Sequence, residues 1–302
     1  MKRETSWIPV YIILGIVWGC SFIFIKAGLE FLSPIGVAFV RCGLGAMTLY
    51  SYARYKGISL PRNRVALLHI WVVSLLLNVI PGIFYALAET AVTSILAAIM
   101  NAVTPLMTVL AILLINREEK PEFHQLLGLF LGFLGVLIVL GAWAGLGDNP
   151  IWAILILLFA VACYGVTFPY TRRFVMPLKI KSEAIVATQL ICAASTLLPI
   201  YLISGVSVTS FPVTPVISMI ALGVFGSGFA YLWNFKIMQL AGSAIASSVT
   251  YLTPLVAVIV GIIFLSEKVT WNEPVGALVV LLGAAIAQER IKLKKTDLDR
   301  LR

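Results

Sequence analysis

The chain has 302 residues, of which 61% are hydrophobic and 12% charged, and its mean hydropathy is +1.03. A soluble globular chain is about 25% charged, so the composition excludes a water-soluble protein and makes the lipid bilayer its first partner. The formal net charge of +9 sits in short connections and the tail. There it sets membrane orientation and meets anionic headgroups, so no nucleic-acid partner is expected.

In chain order, apolar segments occupy 8–27, 34–54, 65–88, 91–115, 123–143, 151–173, 182–204, 215–239, 243–265 and 272–290. Each is near the length of about 20 residues that crosses lipid as a helix, whereas a barrel strand would be about ten residues of alternating polarity. Because hydrocarbon cannot satisfy backbone polar groups, such segments form helices. The expected fold class is therefore an all-α integral membrane protein with ten transmembrane helices. The first run is too long for a signal-peptide core and has no small-residue cleavage pattern, so it is expected to stay. Gly145-Leu-Gly-Asp-Asn-Pro150 is the strongest breaker cluster in mid-chain. It separates a first unit at 8–143 from a second at 151–290, with a basic tail at 291–302.

Lys and Arg in the connections predict orientation. With the N-terminus in the cytoplasm, that side collects Lys2, Arg3, Arg54, Lys56, Arg62, Arg64, Arg117, Lys120, Arg172, Arg173, Lys179 and Lys181, together with the tail. The opposite loops carry Glu30, Glu89, Asp148, Glu267 and Glu273, with Lys268 as their cation. Both termini are expected in the cytoplasm of a multi-pass cell-membrane protein.

The halves repeat one another. Thr104-Pro105-Leu106 recurs as Thr253-Pro254-Leu255, and Glu118 as Glu267. Gly128 and Gly135 recur as Gly276 and Gly283, and Trp18-Gly19 with Phe22 as Tyr164-Gly165 with Phe168. Gly and Thr are common in such helices, so the weight lies in the collinear order of the matches. A unit of five helices is odd, so the second copy enters the membrane from the opposite side. Inverted repeats of this kind build carriers with two similar gates around a midplane site.

At these residues the chain resembles the EamA-type family of drug/metabolite transporters. The resemblance spans about 15–141 and 155–288. It rests on Trp18-Gly-Cys-Ser-Phe22 with Lys26, Arg41, Phe84-Tyr85-Ala86-Leu87, and Ala97 to Pro105 leading to Glu118. In the second half it rests on Tyr231-Leu-Trp-Asn234, Ala244 to Pro254, and Glu267-Lys268. It implies a ten-helix carrier of inverted five-plus-five design and says nothing of the substrate; many members are implicated in export of amino acids or other metabolites. Arg172-Arg173 and Lys236 belong to no family-wide pattern.

Several polar residues fall inside apolar segments. Thr104-Pro105 and Thr253-Pro254 each remove a backbone hydrogen bond within a predicted helix; they are read as kinks and hinges beside a cavity. Asn101 and Thr250 lie on the same side as these prolines. Asn78 and Asn101 fall near mid-bilayer, where an amide either bonds a neighbouring helix or meets a solute. Lys26, Arg41 and Lys236 are the cations in or near the spans, and such charges face a bundle interior or a wet cavity. For Lys26 a pair with Glu30 one turn on is the simpler reading, and for Lys236 snorkelling to the surface. Arg41 is expected inside, with an anionic group as its natural ligand. Trp18, Tyr85, Tyr164, Tyr231 and Tyr251, with Gln189 and Asn234, complete the substrate-binding candidates; aromatics also populate interfaces and packing seams. Gly128, Gly132 and Gly135 share one surface and favour close helix packing within the bundle or in a dimer.

The acidic residues lie in loops, tails or helix ends, which disfavours proton coupling through a deep carboxylate. Cys20, Cys42, Cys163 and Cys192 lie in apolar runs without metal-ligand spacing. No metal or other cofactor is expected, and the convergent nucleophile, base or ligand set of an enzyme is missing. The expected function is export of a small polar metabolite, such as an amino acid or related solute bearing an anionic group, by alternating access. The alternative is multidrug efflux of aromatic or amphipathic compounds. The protein is expected as a monomer or homodimer.

Overall fold

The computed structural model describes residues 7–115, 123–139, 149–204, 208, 211–266 and 268–287. Among these residues every regular element is helical. Seven helices are long and apolar enough to cross a membrane: α1 (Ile8–Gly28), α3 (Arg64–Ala88), α4 (Ser94–Leu114), α6 (Ile151–Leu178), α7 (Ser182–Ser204), α8 (Val213–Ala241) and α9 (Ile245–Leu265). Three more helices, α2 (Pro34–Tyr55), α5 (Phe123–Val139) and α10 (Asn272–Ala287), pack among them without meeting that standard. Arg41 and Arg54 lower the apolarity of α2, and α5 and α10 have 17 and 16 residues. Expectations placed on Lys2, Arg3, Arg117, Glu118, Lys120, Asp148, Glu267 and the tail lie outside the described residues.

Local sequence sets the helix starts. Ser33, Asn63 and Thr93 precede α2, α3 and α4, and their side-chain oxygens accept from the backbone N–H of Gly36, Val65 and Leu96 at 3.1, 2.8 and 3.1 Å. Each cap satisfies a donor that the first helical turn leaves open. Large apolar side chains such as Ile12, Ile16, Leu202, Ile203, Ile259 and Ile263 are exposed. In water that surface would be unfavourable; it is the surface a bilayer covers.

The expected proline kinks are breaks. In α4 the helical hydrogen bonding is interrupted at Ala102 and Val103, and a new segment starts at Thr104. In α9 a 3₁₀ turn over Val249–Tyr251 precedes the segment that starts at Thr253. Pro105 and Pro254 thus occupy first turns, where a missing N–H costs nothing. Thr253 donates to Thr250 O at 2.8 Å and Thr104 to the Asn101 side chain at 3.3 Å, so each threonine ties the break to the turn before it.

The packing has an internal symmetry. α1 lies against α8 and α9, and α6 against α3 and α4; α2 crosses α7 and α8, and α7 crosses α2 and α3; α5 runs along α10. Exchanging each helix with the one five places on leaves this set of neighbours unchanged. Matched glycines make close approaches in both halves. A Cβ on Gly19 would strike the Val256 side chain and lie 3.1 Å from Thr253 O, while one on Gly165 would lie 2.6 Å from the Met107 backbone. Between α5 and α10, a Cβ on Gly135 would sit 2.6 Å from Val280 N and one on Gly283 2.6 Å from Gly132 N. The α5 glycines therefore serve packing within the chain.

Both α3 and α8 contain π-helical turns, at Leu75–Val79 and Leu222–Phe229. Each inserts an extra residue and rotates the remainder of its helix about the axis. His69 Nδ1 lies 2.8 Å from the Tyr170 hydroxyl, and Lys236 pairs with Glu183 at 3.8 Å. The α2–α3 and α6–α7 connections, with Arg54, Lys56, Arg62, Arg172, Arg173, Lys179 and Lys181, therefore share one end of the bundle.

Candidate functional site

Where α1, α2, α3, α4, α6, α8 and α9 converge, they surround a cavity of about 50 Å3. Six aromatic side chains contribute to the wall: Trp18, Phe22, Tyr85, Tyr164, Phe168 and Tyr231. They are arranged by the symmetry of the halves. Trp18 of α1 meets Tyr231 of α8 edge-on with centroids 5.9 Å apart, and Tyr164 of α6 stacks on Tyr85 of α3 at the same 5.9 Å. The polar wall consists of Ser21, Arg41, Asn101, Thr104 and Thr250, with Ile25 and Leu77 completing it.

Arg41 is 7% exposed. Its Nε donates to Ser227 Oγ at 3.1 Å. Ser227 belongs to the π-helical turn of α8, whose loosened backbone also offers Gly226 O to Trp18 Nε1 at 3.2 Å. The two terminal guanidinium nitrogens have no hydrogen-bond partner among the described residues, and no carboxylate lies within ion-pair distance of them. Glu89 is 0% exposed, so its place at the end of α3 does not put it in water. Opposite, Asn101 Oδ1 accepts from the Tyr85 hydroxyl and from Thr104 Oγ1, both at 3.3 Å. The cavity thus combines one fixed positive charge, a cluster of hydroxyl and amide groups, and aromatic faces.

Seven sequence candidates line this space: Trp18, Arg41, Tyr85, Asn101, Thr104, Tyr164 and Tyr231. The others lie elsewhere. Lys26 does not pair with Glu30; its Nζ donates to Glu89 O at 2.7 Å and Val92 O at 3.1 Å, because the end of α3 presents open carbonyls beside α1. Asn78 bonds a neighbouring helix, accepting from Gln189 Nε2 at 2.6 Å. Asn234 Nδ2 donates to Ala246 O at 3.0 Å. Gln189 and Asn234 line a smaller chamber beside the cavity. Tyr251 packs in the apolar cluster around α4, and Pro105, Thr253 and Pro254 form the breaks without lining the cavity. Lys236 keeps to the surface in its pair with Glu183. Sequence reasoning does not select Phe22 or Phe168, although each stands one turn beyond a chosen aromatic and the two match between the halves. Ser227 carries no signal at all.

An all-helical bundle with a lipid-facing apolar surface, symmetric halves and a charged inner cavity defines the class of polytopic membrane transport proteins. The model of the EamA-like transporter family matches the chain twice, over residues 5–141 and 151–287, and the chain belongs to that family. It is 28% identical over 250 residues to the uncharacterized inner membrane transporter YedA of Escherichia coli K12, covering 82% of this chain and 79% of the relative. It is 25% identical to the uncharacterized transporter YvbV of Bacillus subtilis, over 97% of this chain and 94% of that protein. A solved crystal structure shares the fold at a TM-score of 0.70 with 16% identity, over 96% of this chain and 100% of that one.

Proposed function

We propose that this protein is a secondary carrier or facilitator that exports a small polar metabolite bearing an anionic group, such as an amino acid, across the cytoplasmic membrane. The observation that carries this reading is Arg41, a buried guanidinium that lines the cavity and whose terminal nitrogens have no hydrogen-bond partner among the described residues. A buried cation without a carboxylate partner is costly, and a bound carboxylate compensates it with two parallel charge-assisted bonds. An ammonium on the same solute finds the aromatic faces and Asn101 Oδ1, the acceptors that cation–π and hydrogen bonding require.

The proposed mechanism is alternating access in a bundle of ten spans arranged as two inverted five-helix repeats, with both termini in the cytoplasm. The neighbour pattern that survives exchange of the halves supports it, as does the odd number of spans per half. The breaks before Thr104 and Thr253 supply paired hinges beside the cavity. The basic connections gathered at one end support the orientation. The apolar wall, with Phe22, Ile25, Leu77 and Phe168, favours a second reading, efflux of amphipathic compounds.

Two measurements test the proposal. Comparing the metabolites of cells with and without the gene identifies the accumulated or depleted solute, and purified protein in liposomes must then move it. No movement of any amino acid or related anion under either gradient, together with resistance to amphipathic drugs, would transfer the assignment to the second reading.

A further inference from the structure

The two halves build one enclosure twice. Arg41 and Gln189 are each the eighth residue of their helices, α2 and α7, and Ser227 and Asn78 each the fifteenth of α8 and α3. Arg41 Nε donates to Ser227 Oγ at 3.1 Å, and Gln189 Nε2 to Asn78 Oδ1 at 2.6 Å. The walls correspond too: Ser21, Phe22 and Tyr85 line the cavity beside Arg41, and their counterparts Thr167, Phe168 and Asn234 line the chamber beside Gln189. The sizes differ. The cavity measures about 50 Å3 and the chamber about 10 Å3, room for about one water. Thr171 in the chamber wall adjoins Arg172-Arg173, so the chamber lies on the side of the cavity toward the basic connections.

Two side chains account for the difference. Leu77 and Tyr231 line both enclosures and, with Phe168, form the wall between them. Their counterparts in the other half are Gly226 and Gly82, which have no side chain. A Cβ on Gly226 would already lie 2.9 Å from Ser21 Oγ, so a leucine there would intrude on the cavity wall. Tyr231 is 6% exposed, and its ring meets Trp18 edge-on. Its hydroxyl reaches Leu77 O at 3.4 Å, long for such a bond, so packing holds the ring more than the hydroxyl does. We infer that Tyr231 and Leu77 are a one-sided partition that closes the Arg41 cavity off from the basic end of the bundle. The inference rests on the proposed function, whose gate toward the cytoplasm it assigns to these two residues. The glycines at the equivalent places leave the opposite approach without such a plug.

The test labels cells that express the full-length protein with an anionic, membrane-impermeant thiol reagent, 2-sulfonatoethyl methanethiosulfonate, added outside. The four native cysteines are replaced by alanine, and one reporter is introduced at a time, Ser21→Cys in the cavity or Thr167→Cys in the chamber. Each rate is divided by that of the same chain unfolded in detergent. With Tyr231 present, the cavity reporter is expected to react and the chamber reporter to resist. Tyr231→Ala should speed the chamber reporter by about tenfold or more, the scale on which large-to-small core changes act. Tyr231→Phe, which keeps the ring, should leave it resistant. A chamber reporter that Tyr231→Ala leaves resistant, or that Tyr231→Phe frees as fully as Tyr231→Ala does, overturns the inference. So does a cavity reporter that fails to react in the presence of Tyr231, or an equal rise at both reporters in Tyr231→Ala, which marks loosening of the whole bundle. Transport in liposomes is a separate readout. Wild-type protein that moves an anion while the labelling fails keeps the carrier and loses the partition; wild-type protein that moves none while the labelling holds loses the proposed solute and keeps the partition.

Discussion

Arg41 of α2 and Ser227 of α8 are joined across the two halves by a single bond from Nε, 3.1 Å long, which aims the guanidinium into the cavity. The serine holds the arginine's orientation without neutralising it. Ser227→Ala is therefore expected to preserve the charge but loosen its placement. A rise of a few-fold in KM for an anionic solute, with kcat less affected, would mark that role. Equal kinetics in wild type and variant would remove Ser227 from the site.

Asn101→Asp places a carboxylate in the same cavity as Arg41, where it competes with an anionic solute. Transport of the anion is expected to fall by more than about tenfold, since a charge–charge interaction in a low-dielectric site exceeds about 1.4 kcal/mol. Uptake of a cationic amphiphile should change in the opposite direction. Equal losses for both solutes would point to damage of the fold.

Lys26 ties the end of α1 to the α3–α4 connection through Glu89 O and Val92 O. Arg172, its counterpart in α6, forms no such bond among the described residues. This asymmetry distinguishes the two ends of the bundle. Lys26→Met removes two bonds to a charged group, each of about 1.5–3 kcal/mol. A cysteine at Thr90 should then react faster with a water-soluble thiol reagent, because that end opens more often. An unchanged labelling rate would assign Lys26 to packing alone.

Glycine positions test the packing. Gly135→Leu and Gly283→Leu force side chains into the backbone of the facing helix, and overpacking of this kind costs about 1–3 kcal/mol or more. A Cβ on Gly43 would meet no facing atom within 4 Å, so Gly43→Ala is expected to be tolerated. Thermal unfolding in detergent should show a clear loss for the first two variants and none for the third.

The sequence already reveals the apolar rods, the repeated halves and seven residues of the cavity wall, because charge and hydropathy mark lipid spans and collinear matches mark duplication. Which way Asn78, Gln189 and Asn234 face is beyond it. These helices are apolar nearly all round, so helical periodicity does not separate a cavity face from a helix–helix seam. The π-helical turns add to the difficulty. The extra residue within Leu75–Val79 changes the angle between Asn78 and Tyr85, so spacing along a regular helix misplaces one against the other. The true partners of Lys26 are backbone carbonyls, which leave no trace in a side-chain pattern. The proline breaks look like mere kinks in the sequence because hydropathy runs unbroken through them.

Binding of the solute's anionic group by Arg41 is open to direct measurement. Exchange of a labelled amino acid or related anion should be measured in liposomes holding equal amounts of wild-type, Arg41→Lys and Arg41→Gln protein of matched thermal stability. Arg41→Gln is expected to lose exchange, and Arg41→Lys, which keeps charge without the planar fork, to retain part of it. Exchange by Arg41→Gln at the wild-type rate would show that Arg41 does not bind the solute.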